Sequence, residues 1–239
     1  LLKSGAPIIE MNIVRQSISA IKGGRLSELI KPAKLITYAI SDIPGDDPKF
    51  IGSGPTVSSN VNINKAIEII KKYNIHVSEY ILNIIKNNKF PKIEPTPFYF
   101  ISTPMMALKA SHEEASRQNF NPIILTDRLE GEASIEGEKM ADLAIKVKEE
   151  KKYKNFKLDK PIVLLSGGET TVTLKGSGFG GRNTEFMLSM AKKLNGAEGI
   201  YGLAIDTDGI DGNMDNAGSF ISPKTILKAS EKKMNLDKF

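Results

Sequence analysis

The sequence predicts an α/β protein of two domains, each a mostly parallel sheet flanked by helices, and three observations support this. Short apolar strands alternate with longer helical stretches, which is typical of parallel sheets covered on both faces. The 239 residues exceed one average domain. A segment at 91–97 holds three prolines and stops both helix and sheet. We therefore expect domains at residues 1–92 and 98–239.

The composition is that of a folded globular protein, with 40% hydrophobic and 26% charged residues. The net charge is +5, and the basic residues are scattered, which favours small anionic ligands over nucleic acid. The chain has no cysteine, so a disulfide framework and a thiolate nucleophile are excluded. No apolar run reaches the roughly 20 residues of a membrane span. We expect a cytoplasmic protein without nucleic-acid or membrane partners, and a homodimer stays open.

The first domain should begin with helical sequence that is interrupted by two adjacent glycines, Gly23 and Gly24. A short apolar strand then ends in a loop rich in glycine, proline and aspartate. Two amphipathic helices complete this part of the chain. The predicted elements are helix 8–30 with its break, strand 35–40, and helices 64–73 and 78–87.

The second domain should alternate strands and helices to the end of the chain. In such sheets, ligands bind outside the carboxyl ends of the strands. The loops after residues 40, 165, 174 and 205 are therefore the candidate binding loops. The predicted elements are strand 98–102, helix 104–119, strand 122–126, helix 132–148, strands 162–165 and 171–174, helix 183–194, strand 201–205 and a helix from 223.

A glycine-containing loop at 166–170 follows the predicted strand 162–165. Its two glycines, Gly167 and Gly168, would let backbone N–H groups converge on a phosphate. The alternative is a tight turn between two strands that needs glycine conformations. The residues alone leave both interpretations open.

A second glycine loop at 176–183 fits two generic patterns. Three glycines, Gly176, Gly178 and Gly181, match the dinucleotide fingerprint, with Asp206 placed to hold a ribose hydroxyl. The loop also resembles a nucleoside triphosphate loop, but arginine replaces the lysine and asparagine replaces the Mg²⁺-binding hydroxyl. Both patterns are generic, so neither decides the ligand.

Arg182 begins the predicted helix that follows this loop. A helix N-terminus favours anions, and the guanidinium fork matches phosphate oxygens. The alternative is an exposed arginine that pairs with Glu185.

The loop at 206–218 carries four aspartates directly after an apolar strand, namely Asp206, Asp208, Asp211 and Asp215. Crowded carboxylates repel one another unless a cation or a proton intervenes, and they suit Mg²⁺. The alternative is a solvated turn in which the aspartates cap local backbone groups.

In the first domain, the loops 41–47 and 52–56 offer hydroxyls, carboxylates and glycine amides beyond a strand end. One helical face is polar where a core helix would be apolar, which marks it either as part of a site or as a solvated surface. Its residues are Asn12, Arg15, Ser19 and Lys22.

Taken together, five segments of the sequence resemble the glycerate kinases that carry a MOFRL domain, of the glycerate 2-kinase type and often labelled as hydroxypyruvate reductases. They occur in the family's order over nearly the whole chain. The segments are 12–25 (NIVRQSISAIKGGR), 41–56 (SDIPGDDPKFIGSGPT), 165–170 (LSGGET), 175–185 (KGSGFGGRNTE) and 206–218 (DTDGIDGNMDNAG).

The resemblance implies ATP- and Mg²⁺-dependent phosphorylation of glycerate to 2-phosphoglycerate, in a cleft between a Rossmann-like first domain and the MOFRL domain. It implies catalytic roles for Arg182 and Asp208, and Mg²⁺ binding by Asp206 and Asp208. The residues expected to bind glycerate are Arg15, Ser41, Asp42 and Asp46. Those expected to bind nucleotide or phosphate are Ser166, Gly167, Gly168, Glu169, Thr170, Gly178 and Gly181.

Two other functions remain open on the sequence: an NAD(P)-dependent hydroxypyruvate reductase, which the glycine fingerprint favours, and a non-catalytic sensor of a phosphorylated sugar acid. The family's upstream basic residue and glycine-rich serine loop are missing, as is its last downstream segment. We therefore expect a chain truncated at both ends.

Overall fold

The structure of the protein is a computed structural model that describes residues 1–43, 45–174, 176 and 178–236, apart from the side chain of Phe156. The predicted loops 41–47 and 176–183 thus lie partly outside the described residues. The chain divides into two compact units, Leu1–Pro104 and Met105–Phe239. No helix in the described ranges is both long and apolar enough to cross a membrane.

The helices of the first unit are set by local signals in the sequence. The predicted helix 8–30 ends at Ile18 because Ser19 is extended, and the next helix starts after Gly24, whose φ is 85°. Asn62 and Ser78 cap the following two helices through their side chains. The elements are α1 (Ile8–Ile18), α2 (Arg25–Leu29), β1 (Thr37–Ile40), α3 (Ile63–Lys72), α4 (Glu79–Asn87) and β2 (Phe98–Ser102).

Strands β1 and β2 pair in parallel within the first unit. The sequence placed β2 in the second domain, after the proline-rich segment, whereas the first unit extends to Pro104. The proline-rich segment 91–97 therefore connects α4 to β2 within the first unit and does not mark the boundary between the units. Helices α1, α3 and α4 pack around a core of buried aliphatic residues, namely Val14, Ala66, Ile69, Ile70 and Ile85.

In the second unit, the described residues form one parallel and two antiparallel strand pairs. The long strands β3 and β6 are parallel, while β4 pairs with β5 and β7 with β8 in antiparallel hairpins. The elements are α5 (Pro104–Arg117), β3 (Asn121–Glu132), α6 (Ala133–Glu150), β4 (Lys152–Tyr153), β5 (Phe156–Lys157), β6 (Ile162–Thr171), α7 (Arg182–Leu194), β7 (Gly202–Ile205), β8 (Gly218–Ile221) and α8 (Thr225–Glu231).

The predicted α/β class, with parallel sheets flanked by helices, is confirmed. Several details differ from the sequence prediction. The strand expected at 162–165 continues as β6 to Thr171, and residues 172–174 are not in a strand. The short strands β4, β5 and β8 were not expected. The strands of the described ranges form four two-stranded sheets. A Rossmann-like strand order in the first domain therefore stays a prediction.

Helix α7 is central to the second unit because it packs against both α6 and the β7–β8 hairpin. Contact with α6 is close at Gly137, where a Cβ would lie 2.3 Å from the carbonyl oxygen of Phe186. The core comprises Ala133, Ala141, Phe186, Met187, Met190, Ala191, Leu194, Ile200 and Ile221. This packing fixes the start of α7 beside the loop that follows β7.

Candidate active site

Arg182, the first residue of α7, contacts two carboxylates that were far apart in sequence. Its Nη1 donates to Glu169 Oε1 of β6 and its Nη2 donates to Asp206 Oδ1, which follows β7, both at 2.7 Å. The Arg182 side chain is 35% exposed, Asp206 is 12% exposed and Glu169 is 52% exposed. The hydrogen bond to Asp206 raises the pKa of Arg182 above its ordinary value, so the guanidinium stays charged. Arg182 therefore pairs with Asp206 and Glu169, and not with Glu185 as the alternative interpretation of the sequence supposed.

Both carboxylate oxygens of Asp206 hold hydrogen bonds. While Oδ1 accepts from Arg182, Oδ2 accepts from the side-chain amide of Asn183 at 2.9 Å. A metal ion at Asp206 would have to displace one of these donors. The geometry thus makes Asp206 an anchor for the first two residues of α7.

Asp211 occupies the N-terminus of α7. Its side chain is fully buried, with 0% exposure, and accepts the backbone N–H groups of Asn183 at 2.9 Å and of Thr184 at 2.8 Å. These groups are among the unpaired donors with which a helix start attracts anions. A protein carboxylate therefore already occupies the position at which sequence analysis expected a ligand anion.

The glycine loop before α7 also uses its amides within the protein. Gly180 N donates to Asn213 Oδ1 at 2.9 Å, and Gly181 N donates to Thr184 Oγ1 at 2.8 Å. A Cβ at Gly181 would lie 2.3 Å from Asp211 Oδ1, so glycine is required there by packing. Gly178 differs, because nothing lies within 4 Å of an added Cβ. Of the two glycines in this loop that were expected to bind phosphate, Gly178 is thus the one with open space around it.

The segment 166–170 is part of strand β6 and is not a separate loop. Gly168 has a φ of 139°, and a Cβ there would lie 2.2 Å from the backbone nitrogen of Leu129 in β3. This glycine is needed for strand packing, so the segment is neither a separate phosphate loop nor the tight turn between two strands that the sequence left open. Ser166 Oγ is buried and finds no hydrogen-bond partner within the described part of the chain. Of the five expected residues, Glu169 is the one that contacts Arg182.

Asp208 lies on the exposed part of the acidic loop. Its Oδ1 accepts the backbone N–H of Ile210 at 3.1 Å, as in an Asx turn. Its charge also contributes to the raised pKa of Arg182, after the hydrogen bond to Asp206 and the charges of Glu169 and Asp206. Among the residues described by the structure, no three acidic or histidine side chains are grouped to hold a metal ion.

In the first unit, the expected glycerate-binding residues have different surroundings. Ser41 is 4% exposed, and its Oγ has no hydrogen-bond partner among residues with described positions. The same holds for the buried Oδ1 of Asp46, a residue with a φ of 51°. Asp42 is exposed, and Arg15 is half-buried on α1. The Ser41 hydroxyl could therefore donate or accept a further hydrogen bond, and Asp46 Oδ1 could accept one.

The polar face of α1 binds a neighbouring loop of its own unit. Asn12 Oδ1 accepts from Ser53 Oγ at 2.9 Å. Lys22, which was predicted on the same helical face, comes after the end of α1 at Ile18, and its Nζ donates to the carbonyl oxygen of Gly52 at 2.6 Å. Gln16, which sequence analysis did not single out, donates to the carbonyl of Ser53 and accepts from Ser59 Oγ at 2.7 Å. This face therefore holds the loop 49–59 in place.

Two functional candidates in the second unit were missed or misassigned from the sequence. Asn183 was noted in the sequence as a departure from the nucleoside triphosphate pattern, in which a Mg²⁺-binding hydroxyl stands at this position; in the structure it donates to Asp206. Asp211 was counted as one of four acidic residues, whereas it caps α7. The available signal was a glycine before a helix and an aspartate 28 residues after Asn183, which is too distant for a local pattern to connect.

Comparison with known proteins follows the same division of the chain. A family model described as "Domain of unknown function (DUF4147)" matches residues 1–86, and the "MOFRL family" model matches residues 162–239. A protein of Agrobacterium vitis named "Putative hydroxypyruvate reductase" is 44% identical over 95% of this chain and 52% of its own length. The "D-glycerate 2-kinase" of Thermotoga maritima is 37% identical over 96% of this chain and 54% of its own.

Two solved structures cover the whole chain and 56% of their own chains. The crystal structure of glycerate kinase from Thermotoga maritima has a TM-score of 0.89 at 34% identity. The crystal structure of a protein from Pyrococcus horikoshii has a TM-score of 0.79 at 35% identity. This chain spans about half the length of the curated relatives it matches.

The fold and the two matched regions define an α/β protein that combines a DUF4147 region with a MOFRL domain. The chain is thus similar over nearly its whole length to proteins named glycerate kinase, the resemblance that its sequence motifs predicted.

Proposed function

We propose that the protein transfers the γ-phosphoryl group of ATP to a hydroxyl of glycerate. The observation that carries this proposal is the partly exposed, charged guanidinium of Arg182, which is held by Asp206 and Glu169. Only two of its five N–H donors are used by these hydrogen bonds, so the others can bind phosphate oxygens. Phosphoryl transfer depends mainly on positioning and charge neutralisation, and a well-placed arginine contributes roughly 10³-fold or more to the rate.

Glycerate 2-phosphorylation is the specific reaction we propose. It is supported by the relatives named "D-glycerate 2-kinase" and "Glycerate 2-kinase", which are 34–37% identical to this chain. In the first unit, the guanidinium of Arg15 would bind the glycerate carboxylate. The unfilled polar atoms of Ser41 and Asp46, with the exposed Asp42, would bind its hydroxyls.

Mg²⁺ would enter with ATP. Mg²⁺ commonly binds through one or two carboxylates together with phosphate oxygens and waters, so a protein-only cage is unnecessary. Asp208 fits that role because its carboxylate is exposed and keeps one oxygen outside the Asx turn. Asp206 fits it less well, since both of its oxygens hold α7. When bound, the ion would neutralise charge on the phosphates; Asp206 would orient Arg182.

For the nucleotide phosphates, we propose contacts with Arg182, with the open loop around Gly178 and with the end of β6. The residues proposed to contact the phosphates at the end of β6 are Ser166, Gly167, Gly168, Glu169 and Thr170. The amide of Gly181 and the first turn of α7 already have protein acceptors. The nucleotide would therefore rely on side-chain charge more than on the helix N-terminus.

A second candidate function is a nicotinamide-dependent hydroxypyruvate reductase, which the name of the Agrobacterium vitis relative favours. A dinucleotide fingerprint works by holding the pyrophosphate at the helix N-terminus. Here the carboxylate of Asp211 accepts those N–H groups, and a pyrophosphate would have to displace it. The kinase is therefore the better-supported function.

The test is a coupled ADP-release assay on the full-length protein with D-glycerate, ATP and Mg²⁺. We expect turnover in the wild type and a loss of roughly 10³-fold in kcat for Arg182→Ala. Arg117→Ala removes a surface arginine that pairs with Glu114 and should leave kcat unchanged. Oxidation of NADH or NADPH by hydroxypyruvate, without ADP release, would favour the reductase. Full activity in Arg182→Ala would contradict the assigned role.

A further inference from the structure

Asp211 is a buried carboxylate that the proposed chemistry does not use. Burying a charge is costly unless it is well hydrogen-bonded, and Asp211 has two short contacts to the backbone N–H groups of Asn183 and Thr184. Its own backbone N–H donates to the carbonyl of Asn216 at 2.8 Å, which closes the acidic loop on itself. The carboxylate therefore ties this loop to the first turn of α7.

The contacts continue from Asp211 to the guanidinium of Arg182. The side-chain amide of Asn183 lies 3.4 Å from Asp211 Oδ1 and 2.9 Å from Asp206 Oδ2. Asp206 then accepts from Arg182 through its other oxygen. Two neighbouring residues of α7 are thus fixed against two carboxylates of the same loop.

The glycine turn and the acidic loop are also in direct backbone contact. A Cβ at Gly212 would lie 2.2 Å from the carbonyl oxygen of Gly180, and one at Gly181 would overlap the Asp211 side chain. The N–H of Asn213 donates to the same Gly180 carbonyl at 3.3 Å. The two segments are thus tightly packed, and loss of the Asp211 carboxylate would leave the backbone N–H groups of Asn183 and Thr184 without their acceptor.

We infer that Asp211 is a positioning residue for the phosphoryl transfer: it locks the acidic loop onto the first turn of α7 and thereby fixes Arg182 against Asp206. This inference rests on the proposed kinase function. Asp211 acts through Arg182 and touches neither substrate.

The first test is Asp211→Asn in the full-length protein, measured by ADP release with D-glycerate and saturating MgATP. The substituted amide can accept only one of the two backbone N–H groups and sets an N–H against the other. We expect kcat to fall by about 10- to 100-fold, because small misplacements of a catalytic group have effects of that size. The KM for glycerate should stay within about twofold, since Arg182 acts mainly in the transition state. Asp215→Asn, in the exposed part of the same loop, should match the wild type.

A double-mutant cycle separates positioning from general stability. If Asp211 acts through Arg182, then Asp211→Asn in the Arg182→Ala background should lower the residual kcat by less than about twofold. An equal loss in both backgrounds would overturn the inference. Asn183→Ala provides a second variant, because it keeps the backbone contacts of Asp211 but removes the link to Asp206; it should also lower kcat.

The outcomes are distinguishable. A wild-type protein without ADP release would overturn the proposed function, and the inference with it. An active wild type, together with Asp211→Asn of unchanged kcat and lowered Tm, would reduce Asp211 to a helix cap and overturn the inference alone. If Asp211→Asn does not fold, Asn183→Ala decides, and wild-type kcat in that variant would overturn the inference.

Discussion

Gly168 in β6 lies directly against the backbone of Leu129 in β3, so that a Cβ on the glycine would approach the Leu129 nitrogen to 2.2 Å and its carbonyl oxygen to 2.4 Å. The two strands are parallel at this point, and their register shifts between residues 126 and 129. A motif that looks like a phosphate loop in the sequence is thus part of the parallel strand pair β3–β6.

This contact predicts that Gly168→Ala strongly destabilises the protein. The methyl group would overlap backbone atoms, and a φ of 139° is unfavourable for alanine. We expect a loss of about 2 to 4 kcal/mol in the free energy of unfolding, measured by urea denaturation. Gly176→Ala is the matched control, because nothing lies within 4 Å of its added Cβ. Equal stability of the two variants would contradict the strand assignment.

Gly181→Ala should damage the start of α7. Its methyl group would overlap the Asp211 carboxylate and push it off the helix N–H groups. Loss of a cap together with overpacking should cost about 1 to 3 kcal/mol, seen as a lower Tm and reduced kcat. Gly178→Ala, from the same loop but with open space around it, should keep the wild-type Tm.

Asp206→Asn should affect activity more than Glu169→Gln does. Asp206 is the more buried partner of Arg182 and also holds Asn183, whereas Glu169 is more than half exposed and its ion pair is screened by solvent. We expect kcat to fall by about 10- to 100-fold for Asp206→Asn and by less than about threefold for Glu169→Gln. The ADP-release assay checks both. A larger loss of kcat for Glu169→Gln than for Asp206→Asn would show that Glu169 of β6, and not Asp206, is the main partner that positions Arg182.

Asp208→Asn should raise the Mg²⁺ concentration required for half-maximal activity at fixed ATP. It removes the charge of the one carboxylate proposed to contact the ion, while the Arg182–Asp206 contact stays in place. A change of about 10-fold or more is expected, with little change in Tm. Asp142→Asn, on the exposed surface of α6, is the control. An unchanged Mg²⁺ requirement would remove Asp208 from the metal role.

Gln16→Ala should destabilise the first unit. Gln16 is buried and bonds the carbonyls of Lys49 and Ser53 as well as the Ser59 hydroxyl, so its removal leaves buried polar groups unsatisfied. We expect a loss of about 2 to 4 kcal/mol in a urea titration. Gln118→Ala removes an exposed glutamine of similar type and should change stability by less than about 0.5 kcal/mol.

Most helices could be predicted from the sequence because their signals are local. Asn62 and Ser78 stand directly before α3 and α4 and cap them with their side chains. The adjacent glycines Gly23 and Gly24 mark the break between α1 and α2. The apolar periodicity of a helix, its capping residue and the glycines that end it all lie within a few residues of that helix.

The strands were harder to predict because pairing, not local sequence, sets their ends. Strand β3 continues through the charged stretch 127–132, since β6 supplies a partner for its backbone. Strand β8 begins at Gly218, which has weak strand propensity, and is held by β7. Tertiary contacts overrode local preference in both cases.

The candidate site was predictable in part. Placing Arg182 and Asp206 at neighbouring strand and helix ends follows from the rule for α/β sheets, and the structure brings them together. The partner at the helix start was not predictable, because Asp211 reaches Asn183 across 28 residues of intervening chain. Which of four nearby aspartates turns inward depends on the loop's folded path.

Because a Cβ at position 181 would overlap the Asp211 side chain, the residues at positions 181 and 211 can change only together. Any related protein with a side chain larger than hydrogen at 181 must accommodate it by a smaller or differently directed group at 211, and the start of α7 must then find another acceptor. When variants of this domain are engineered or recombined, the two sites should be exchanged as a single block.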